Sequence, residues 1–202
     1  APYRISFFGG GTDYPAWYEK EGGKVLSTTI DKYCYVSCRY FPPFFDKRHR
    51  VVWSKIEVVN AIQDIEHPAI RACLPYLGFD DSRGLEIHHQ GDLPARTGIG
   101  SSSSFSAAII KALSALKGEM IDKRVLAERA INLEQNILKE NVGSQDQVAA
   151  AYGGLNRITF GRDILFNVEP LTMSKERIHE LESCLMLFFT GTCRTASGIA
   201  EE

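Results

Sequence analysis

The stretch that most constrains this chain runs Leu93-Pro94-Ala95-Arg96-Thr97-Gly98-Ile99-Gly100-Ser101-Ser102-Ser103-Ser104, between a strand-like segment at 84–89 and the most regular helical pattern in the sequence. Behind it, Phe105, Ala108, Ile109, Ala112, Leu113 and Leu116 recur with helical period, so a helix buried on one face begins near the serines. The glycines let the backbone turn tightly and approach a ligand closely. The serines place hydroxyls and backbone N–H groups at the positive end of that helix. Such a turn accommodates an anion, and phosphate suits it best. A plain Gly-Ser turn with a serine N-cap leaves the same trace. Two familiar phosphate loops are excluded. No lysine follows the glycines as a Walker A loop requires, and Ser103 stands where a dinucleotide fingerprint has its third glycine.

Around this centre the pattern is strands, then helices, then strands. Residues 3–8 read as a strand ended by three glycines, and 15–20 as a short helix opened by Pro15 and closed by Gly22 and Gly23. Strands are expected at 25–30, 32–41, 50–53, 55–59 and 84–90, with a helix at 69–77 in spite of Pro75. After the loop helix, a second runs over 123–139, capped by Asp122, and a third starts near Gln145, where Ser144-x-x-Gln147 has the form of a capping box. A hairpin at 155–160 and 164–168, a helix at 174–182 and a buried strand at 184–189 complete the series. This order predicts an α+β fold, with helices packed on one mostly antiparallel sheet.

Composition narrows the function. A chain of 202 residues with 44% apolar content can bury a full core. A net charge of −2 without a long basic run argues against nucleic acid or an anionic membrane as principal partner. The apolar runs are too short for a membrane-spanning helix, and the opening residues read as a strand rather than a secretion signal. Five cysteines, with Cys34 and Cys38 on one face of one strand, fit reduced thiols and a cytoplasmic setting.

One carboxylate stands out by position. On the helix expected at 123–139, Glu134 shares a face with Ala127, Ala130, Ile131, Ile137 and Leu138. An unpaired buried charge is costly, so Glu134 either pairs with an arginine or meets a cation. Asp146 falls in the first turn of a helix, where the dipole alone favours an acid. Thr12 or Asp13, just before Pro15, suits a helix N-cap. His88 and His89 point to opposite faces of a strand and make a poor metal pair, and no zinc-ligand spacing occurs.

Three motifs together resemble the GHMP kinases, the superfamily of galactokinase, homoserine kinase and mevalonate kinase. Pro94-x3-Gly98-Ile99-Gly100-Ser101-Ser102-Ser103 is similar to its phosphate loop. Ala1-Pro2-Tyr3-Arg4-Ile5-Ser6-Phe7-Phe8-Gly9-Gly10-Gly11-Thr12-Asp13-Tyr14 resembles its N-terminal motif. Gly143-Ser144-Gln145-Asp146-Gln147, closing at Gly153-Gly154, resembles the segment with its catalytic aspartate. The Gly-Gly-Gly-Thr-Asp-Tyr-Pro form, with Phe189-Thr190-Gly191-x2-Arg194-Thr195-Ala196-Ser197, looks most like the D-glycero-D-manno-heptose 7-phosphate kinase branch.

The resemblance implies a ribosomal S5 domain 2-like fold and an ATP- and Mg²⁺-dependent kinase acting on the anomeric hydroxyl of heptose 7-phosphate. It implies that Gly98, Ile99, Gly100, Ser101, Ser102 and Ser103 hold the nucleotide phosphates, and that Ser102 with Glu134 holds Mg²⁺. Asp146 would orient or deprotonate the acceptor hydroxyl, with Arg4 keeping it ionised. Gly10, Gly11, Thr12, Asp13 and Tyr14 would line the sugar. Gly10 and Gly11, where galactokinases carry Glu-His, would leave room for a distal phosphate. Arg194 is the expected cation for that phosphate, ahead of Arg48, His49 and Arg50. Another sugar 1-kinase (fucokinase or galactokinase-like) and a non-catalytic S5-like nucleic-acid-binding module stay open, as does homo-oligomerisation. Residues 1–170 are expected to form the N-terminal ATP-binding and catalytic domain. Residues 171–202 would be the start of a truncated C-terminal domain, because the superfamily's third glycine-rich motif is not reached by Glu202.

Overall fold

The computed structural model describes residues 1–95 and 97–188. Its strands are β1 (Pro2–Phe8), β2 (Gly23–Tyr40), β3 (His49–Val52), β4 (Ile56–Val59), β5 (Leu85–Gly91), β6 (Leu155–Phe160) and β7 (Asn167–Pro170). They form one sheet in the order β4-β3-β5-β2-β6-β7, with β1 also on β2. The β3–β5 pairing is parallel and the other pairings are antiparallel. Helices α1 (Pro15–Glu21), α2 (Pro68–Tyr76), α3 (Ser101–Leu116), α4 (Lys123–Ile131), α5 (Gln145–Tyr152) and α6 (Lys175–Ser183) complete the described chain. The expected α+β arrangement of helices on a sheet is the observed one.

The long second strand positions everything that follows. Two strands were expected at 25–30 and 32–41, but neither glycine nor proline interrupts them and the chain runs straight through Asp31 and Lys32. The resulting 18-residue strand is long enough to pair with β1, β5 and β6. β1 takes the first part, with Pro2 opposite Tyr33, and β5 takes the rest, with Gly91 opposite Cys34. The start of β1 and the end of β5 therefore reach β2 at the same point, from opposite sides: the Cys34 N–H donates to the Ala1 carbonyl and the Asp92 N–H to the Tyr33 carbonyl. That junction is where the glycine-serine loop departs.

The core lies between this sheet and the helices. Tyr3, Ile70, Leu74, Leu85, Ile87, Ile109, Ile110 and Leu113 are buried together, each contributing roughly 1.5–3 kcal/mol for an aliphatic side chain. Val25, Val148, Ile158, Phe160 and Phe166 form a second cluster under β6 and β7.

Three further expectations change. The helix expected at 123–139 keeps α geometry only to Ile131 and continues as a π-helix over Asn132–Ile137. An N–H bond from Leu138 to the Leu133 carbonyl (2.9 Å) marks the wider turn. The wider winding buries Leu133 beside Glu134 and turns Ile137 outward to 38% exposure, so the straight α stripe does not hold. The second hairpin strand starts at Asn167, later than expected, because Ile164 and Leu165 lie exposed in the turn. The buried strand expected from Cys184 is absent over 184–188, where Leu185, Met186, Leu187 and Phe188 are exposed; residue 189 lies outside the described residues. Among the described residues no helix is long and apolar enough to cross a membrane, and Cys34, Cys38, Cys73 and Cys184 are free thiols.

Candidate active site

The loop between β5 and α3 is held by β1. Tyr3 is buried with its hydroxyl against Gly91, where a Cβ would fall 2.5 Å from that oxygen. The Arg4 backbone N–H donates to the Ile99 carbonyl at 3.1 Å, and Ser104 Oγ donates to the Pro2 carbonyl at 2.8 Å. Gly98 and Gly100 adopt left-handed φ values of 76° and 73°, a region that favours glycine. Gly100 is the N-cap of α3, and the first bond into the helix runs from Ser104 N–H to the Gly100 carbonyl (2.9 Å). The helix end thus opens on the loop, as an anion cradle requires.

Arg4 joins this loop to Asp146. Its Nε and Nη2 donate to the two carboxylate oxygens at 2.6 and 2.7 Å, and its Nη1 donates to the Gly98 carbonyl at 2.7 Å. The pairing is a two-pronged, charge-assisted one. Gly100 lies against it, for a Cβ there would sit 3.2 Å from Asp146 Oδ2 and 3.3 Å from Arg4 Cγ. Desolvation by the surrounding protein pushes the Asp146 carboxyl above its ordinary value, the charge and hydrogen bonds of Arg4 oppose this, and the Asp13 charge adds to the rise. Arg4 therefore acts in the expected direction, but burial prevails. The Asp146 side chain retains 24% exposure, enough to face an incoming group.

Glu134 is 0% exposed and its partners differ from those expected. Ser103 Oγ and Gln147 Nε2 donate to its Oε2 at 2.8 and 2.6 Å, while Oε1 has no partner. Burial pushes its carboxyl up to about 7, against the hydrogen-bonding pull of the neighbouring serines and Gln147. The Ser102–Glu134 pair is not formed: Ser102 is exposed and Ser103, one residue on, points into the core. The signal for Ser103 was in the sequence. Ser103, Ser106, Ile110 and Ser114 recur three or four residues apart, and this stripe meets Glu134 and Arg129 of the neighbouring helical elements.

The glycine turn after β1 is bolted to β2. Thr12 Oγ1 donates to the Gly9 carbonyl (2.8 Å) and accepts from the Lys24 N–H (3.1 Å). Gly10 and Gly11 are exposed, and nothing lies within 4 Å of a Cβ built on Gly11. Tyr14 is half-buried at the N-cap of α1 without a side-chain cap bond. Asp13 departs from the sugar-contact expectation. It is 1% exposed, with its carboxylate turned inward onto Gly11 and Gln145. Nor does Ser144 form a capping box: it makes no cap bond, and Gln147 is engaged by Glu134 instead.

The other expected cations are elsewhere. Arg50 pairs with Glu86 beside Arg39 and His88, at the end of β3 and β5 remote from the loop, and buried His49 pairs with Asp81. Arg194 lies outside the described residues. His88 and His89 do face opposite ways, the first onto Glu86 (3.1 Å) and the second onto the Phe105 ring (4.6 Å between centroids). His89, His67, Trp53 and Phe105 form a run of ring contacts next to the start of α3, which no sequence motif announced.

Residues 58–154 match the model of the GHMP kinases N terminal domain. Over these residues the chain is similar to the GHMP kinases. It is 27% identical over 209 residues to D-glycero-alpha-D-manno-heptose 7-phosphate kinase of Campylobacter jejuni, covering 99% of this chain and 61% of that protein. It is 28% identical over 227 residues to the bifunctional fucokinase/GDP-fucose pyrophosphorylase of Arabidopsis thaliana, covering 96% of this chain and 20% of that one. Among solved structures, a D-glycero-D-manno-heptose 1-phosphate kinase from Bacteroides thetaiotaomicron superposes with a TM-score of 0.80 at 26% identity, over 91% of this chain and 62% of that one. Lactococcus lactis galactokinase complexed with galactose shares the fold, with a TM-score of 0.65 at 17% identity over 93% of this chain and 57% of that one. The chain thus spans about three fifths of the length of these heptose-kinase relatives.

Proposed function

We propose that the chain is the nucleotide- and acceptor-binding part of an ATP-dependent sugar kinase, with a heptose phosphate as the preferred acceptor. The observation that carries this reading is the Arg4 bridge: one guanidinium holds both the Gly98 carbonyl of the anion cradle and the Asp146 carboxylate. A phosphoryl donor in the cradle and an acceptor hydroxyl at Asp146 would then be neighbours, as in-line transfer demands. Gly98 to Ser103 would hold the phosphates through backbone N–H groups. Asp146 would accept a hydrogen bond from the acceptor hydroxyl and take its proton, and Arg4 would fix the carboxylate's orientation.

The acceptor is read from the turn and from the relatives. Gly10 and Gly11 leave open space beside the turn that Thr12 fixes, and half-buried Tyr14 lies close enough for Asp13 and Asp146 to raise its pKa, after burial. The heptose-kinase names of the similar proteins favour a phosphorylated heptose, whereas the fucokinase and galactokinase relatives keep a free sugar as the second reading. Arg194 remains our proposed cation for the distal phosphate. Residues 1–170 are proposed as the catalytic domain and 171–202 as the start of the next, in keeping with α6, which buries none of its side chains.

Magnesium does not fit between Ser102 and Glu134. One is exposed and the other sealed, with Ser103 rather than Ser102 bonded to the Glu134 carboxylate. No step is therefore assigned to a protein-held ion.

The test is Asp146→Asn. Turnover should fall by about 10²–10⁴-fold, the usual contribution of a positioned base, with ATP affinity nearly unchanged. A coupled ADP-release assay over heptose 7-phosphate, heptose 1-phosphate, free heptose, fucose and galactose ranks the acceptors. An Asp146→Asn protein with unimpaired turnover would sink the assignment of the base. Equal use of free and phosphorylated heptose would remove the heptose-phosphate reading.

A further inference from the structure

Asp13 is a buried acid that the reading above leaves without a role. Its Oδ1 accepts from the Gly11 N–H (3.1 Å) and from Gln145 Nε2 (3.2 Å), and its Oδ2 accepts from the Gln145 N–H (3.0 Å). Its main-chain carbonyl accepts from the Ser144 N–H at 2.9 Å. Gln145 is the first residue of α5, and Asp146 is the second. The cap that Ser144 would ordinarily supply is missing, since its hydroxyl instead receives Gln135 Nε2 at 3.0 Å. The start of α5 is thus capped by a carboxylate 132 residues earlier in the chain.

Gly143 makes room for this cap. A Cβ on Gly143 would fall 1.9 Å from Asp13 Oδ2 and 2.6 Å from its Cγ, so the carboxylate occupies the space of that missing side chain. A negative group at a helix start is favoured by the dipole, and three N–H donors compensate its burial. The acid also ties the exposed turn at Gly10 and Gly11 to the backbone next to Asp146.

We propose that Asp13 is a positioning residue: it caps α5 from the glycine turn and so sets the place of Asp146, without touching the acceptor. The proposal rests on Asp146 as the base, not on which sugar is used.

Gly143→Ala is the discriminating variant, because it displaces the Asp13 carboxylate while leaving every residue of the glycine turn unsubstituted. Hydrogen exchange by NMR on the chain should show the Gln145 amide exchanging about tenfold faster in both Asp13→Asn and Gly143→Ala, the scale of a lost cap. In phosphotransfer by the intact protein both should lower kcat by up to about a hundredfold, the scale of an ångström's misplacement, with the sugar KM within about twofold of the parent. The double variant should be little worse than either single one. A large rise in sugar KM at constant kcat for Asp13→Asn would make Asp13 a sugar contact and overturn the proposal. So would unchanged Gln145 exchange in Gly143→Ala. A parent without phosphotransfer would instead remove the catalytic reading of Asp146, and the exchange measurement would still decide whether Asp13 is the cap.

Discussion

Glu134→Gln should stabilise the protein at alkaline pH and leave it nearly unchanged at acid pH. In the fold the Glu134 carboxyl is fully buried, with one oxygen bonded twice and the other without a partner. Its pKa rises from the ordinary 4.5 to about 7, chiefly through burial. Because the folded value lies above the unfolded one, the native state binds the proton more tightly. That stability is complete below about pH 4.5 and is lost as pH rises through about 7. The gap between the two values corresponds to about 3 kcal/mol. Glutamine has the same shape and cannot ionise. Its amide can also donate toward Gln147 Oε1, which is buried without a partner. Thermal unfolding followed by circular dichroism, with EDTA and without nucleotide, should therefore find variant and parent within about 1 kcal/mol at pH 4.5, the residue of swapping one neutral partner for another. By pH 8.5 the variant should lead by up to about 3 kcal/mol, or about 6–12 °C in Tm for a chain of this size. A difference that does not change between these pH values would refute the argument, because it would mean that Glu134 ionises no differently in the fold than in the unfolded chain.

Two further substitutions probe the cradle and the bridge. Gly100→Val puts a branched side chain at φ 73° and 3.2 Å from Asp146 Oδ2, so ATP affinity by calorimetry should fall at least about tenfold while far-ultraviolet dichroism keeps its helical signal. Unchanged affinity would remove the loop from nucleotide binding. Arg4→Met strands the Asp146 carboxylate, which should cost about 3–5 kcal/mol in urea unfolding at pH 7. Since the penalty falls on the charged acid, it should shrink as pH drops and Asp146 protonates, and a penalty equal at pH 4 and pH 7 would contradict the pairing.

The parts of the molecule legible in the sequence were those written in short-range pattern. The strand–loop–helix around Gly98 to Ser104 follows from two glycines, a serine run and an unbroken helical period, and α3 begins there. The Arg4–Asp146 approach came from a resemblance between motifs, because nothing local links residues 142 positions apart. What pattern could not supply was winding and long-range capping. A straight α period across 123–139 puts Ile137 in the core, and the π-turn reverses that while leaving Glu134 buried. Likewise Ser144-x-x-Gln147 has the right residues for a capping box, yet Gln147 gains more by donating to a buried carboxylate and Asp13 supplies the cap from afar. In both cases a tertiary partner displaced a local preference.

The same competition explains why the candidate site is assembled from three remote segments rather than one. β2 pairs with the start of β1 and the end of β5 at the same point, Tyr33 and Cys34, and this brings Tyr3 and Arg4 to the loop's exit from the sheet. Arg4 then spends its donors on both the Gly98 carbonyl and Asp146. An arginine that serves two partners couples them: a shift of the loop on binding an anion must alter the hold on the carboxylate, and the reverse. Asp13 closes the third side by fixing α5, and the Ser103–Glu134–Gln147 bonds join α3 to α5 beneath it. Loop and acid are therefore held against each other before any ligand arrives. Such prior placement is what a transfer dominated by positioning requires, since little covalent chemistry is left for the protein to perform.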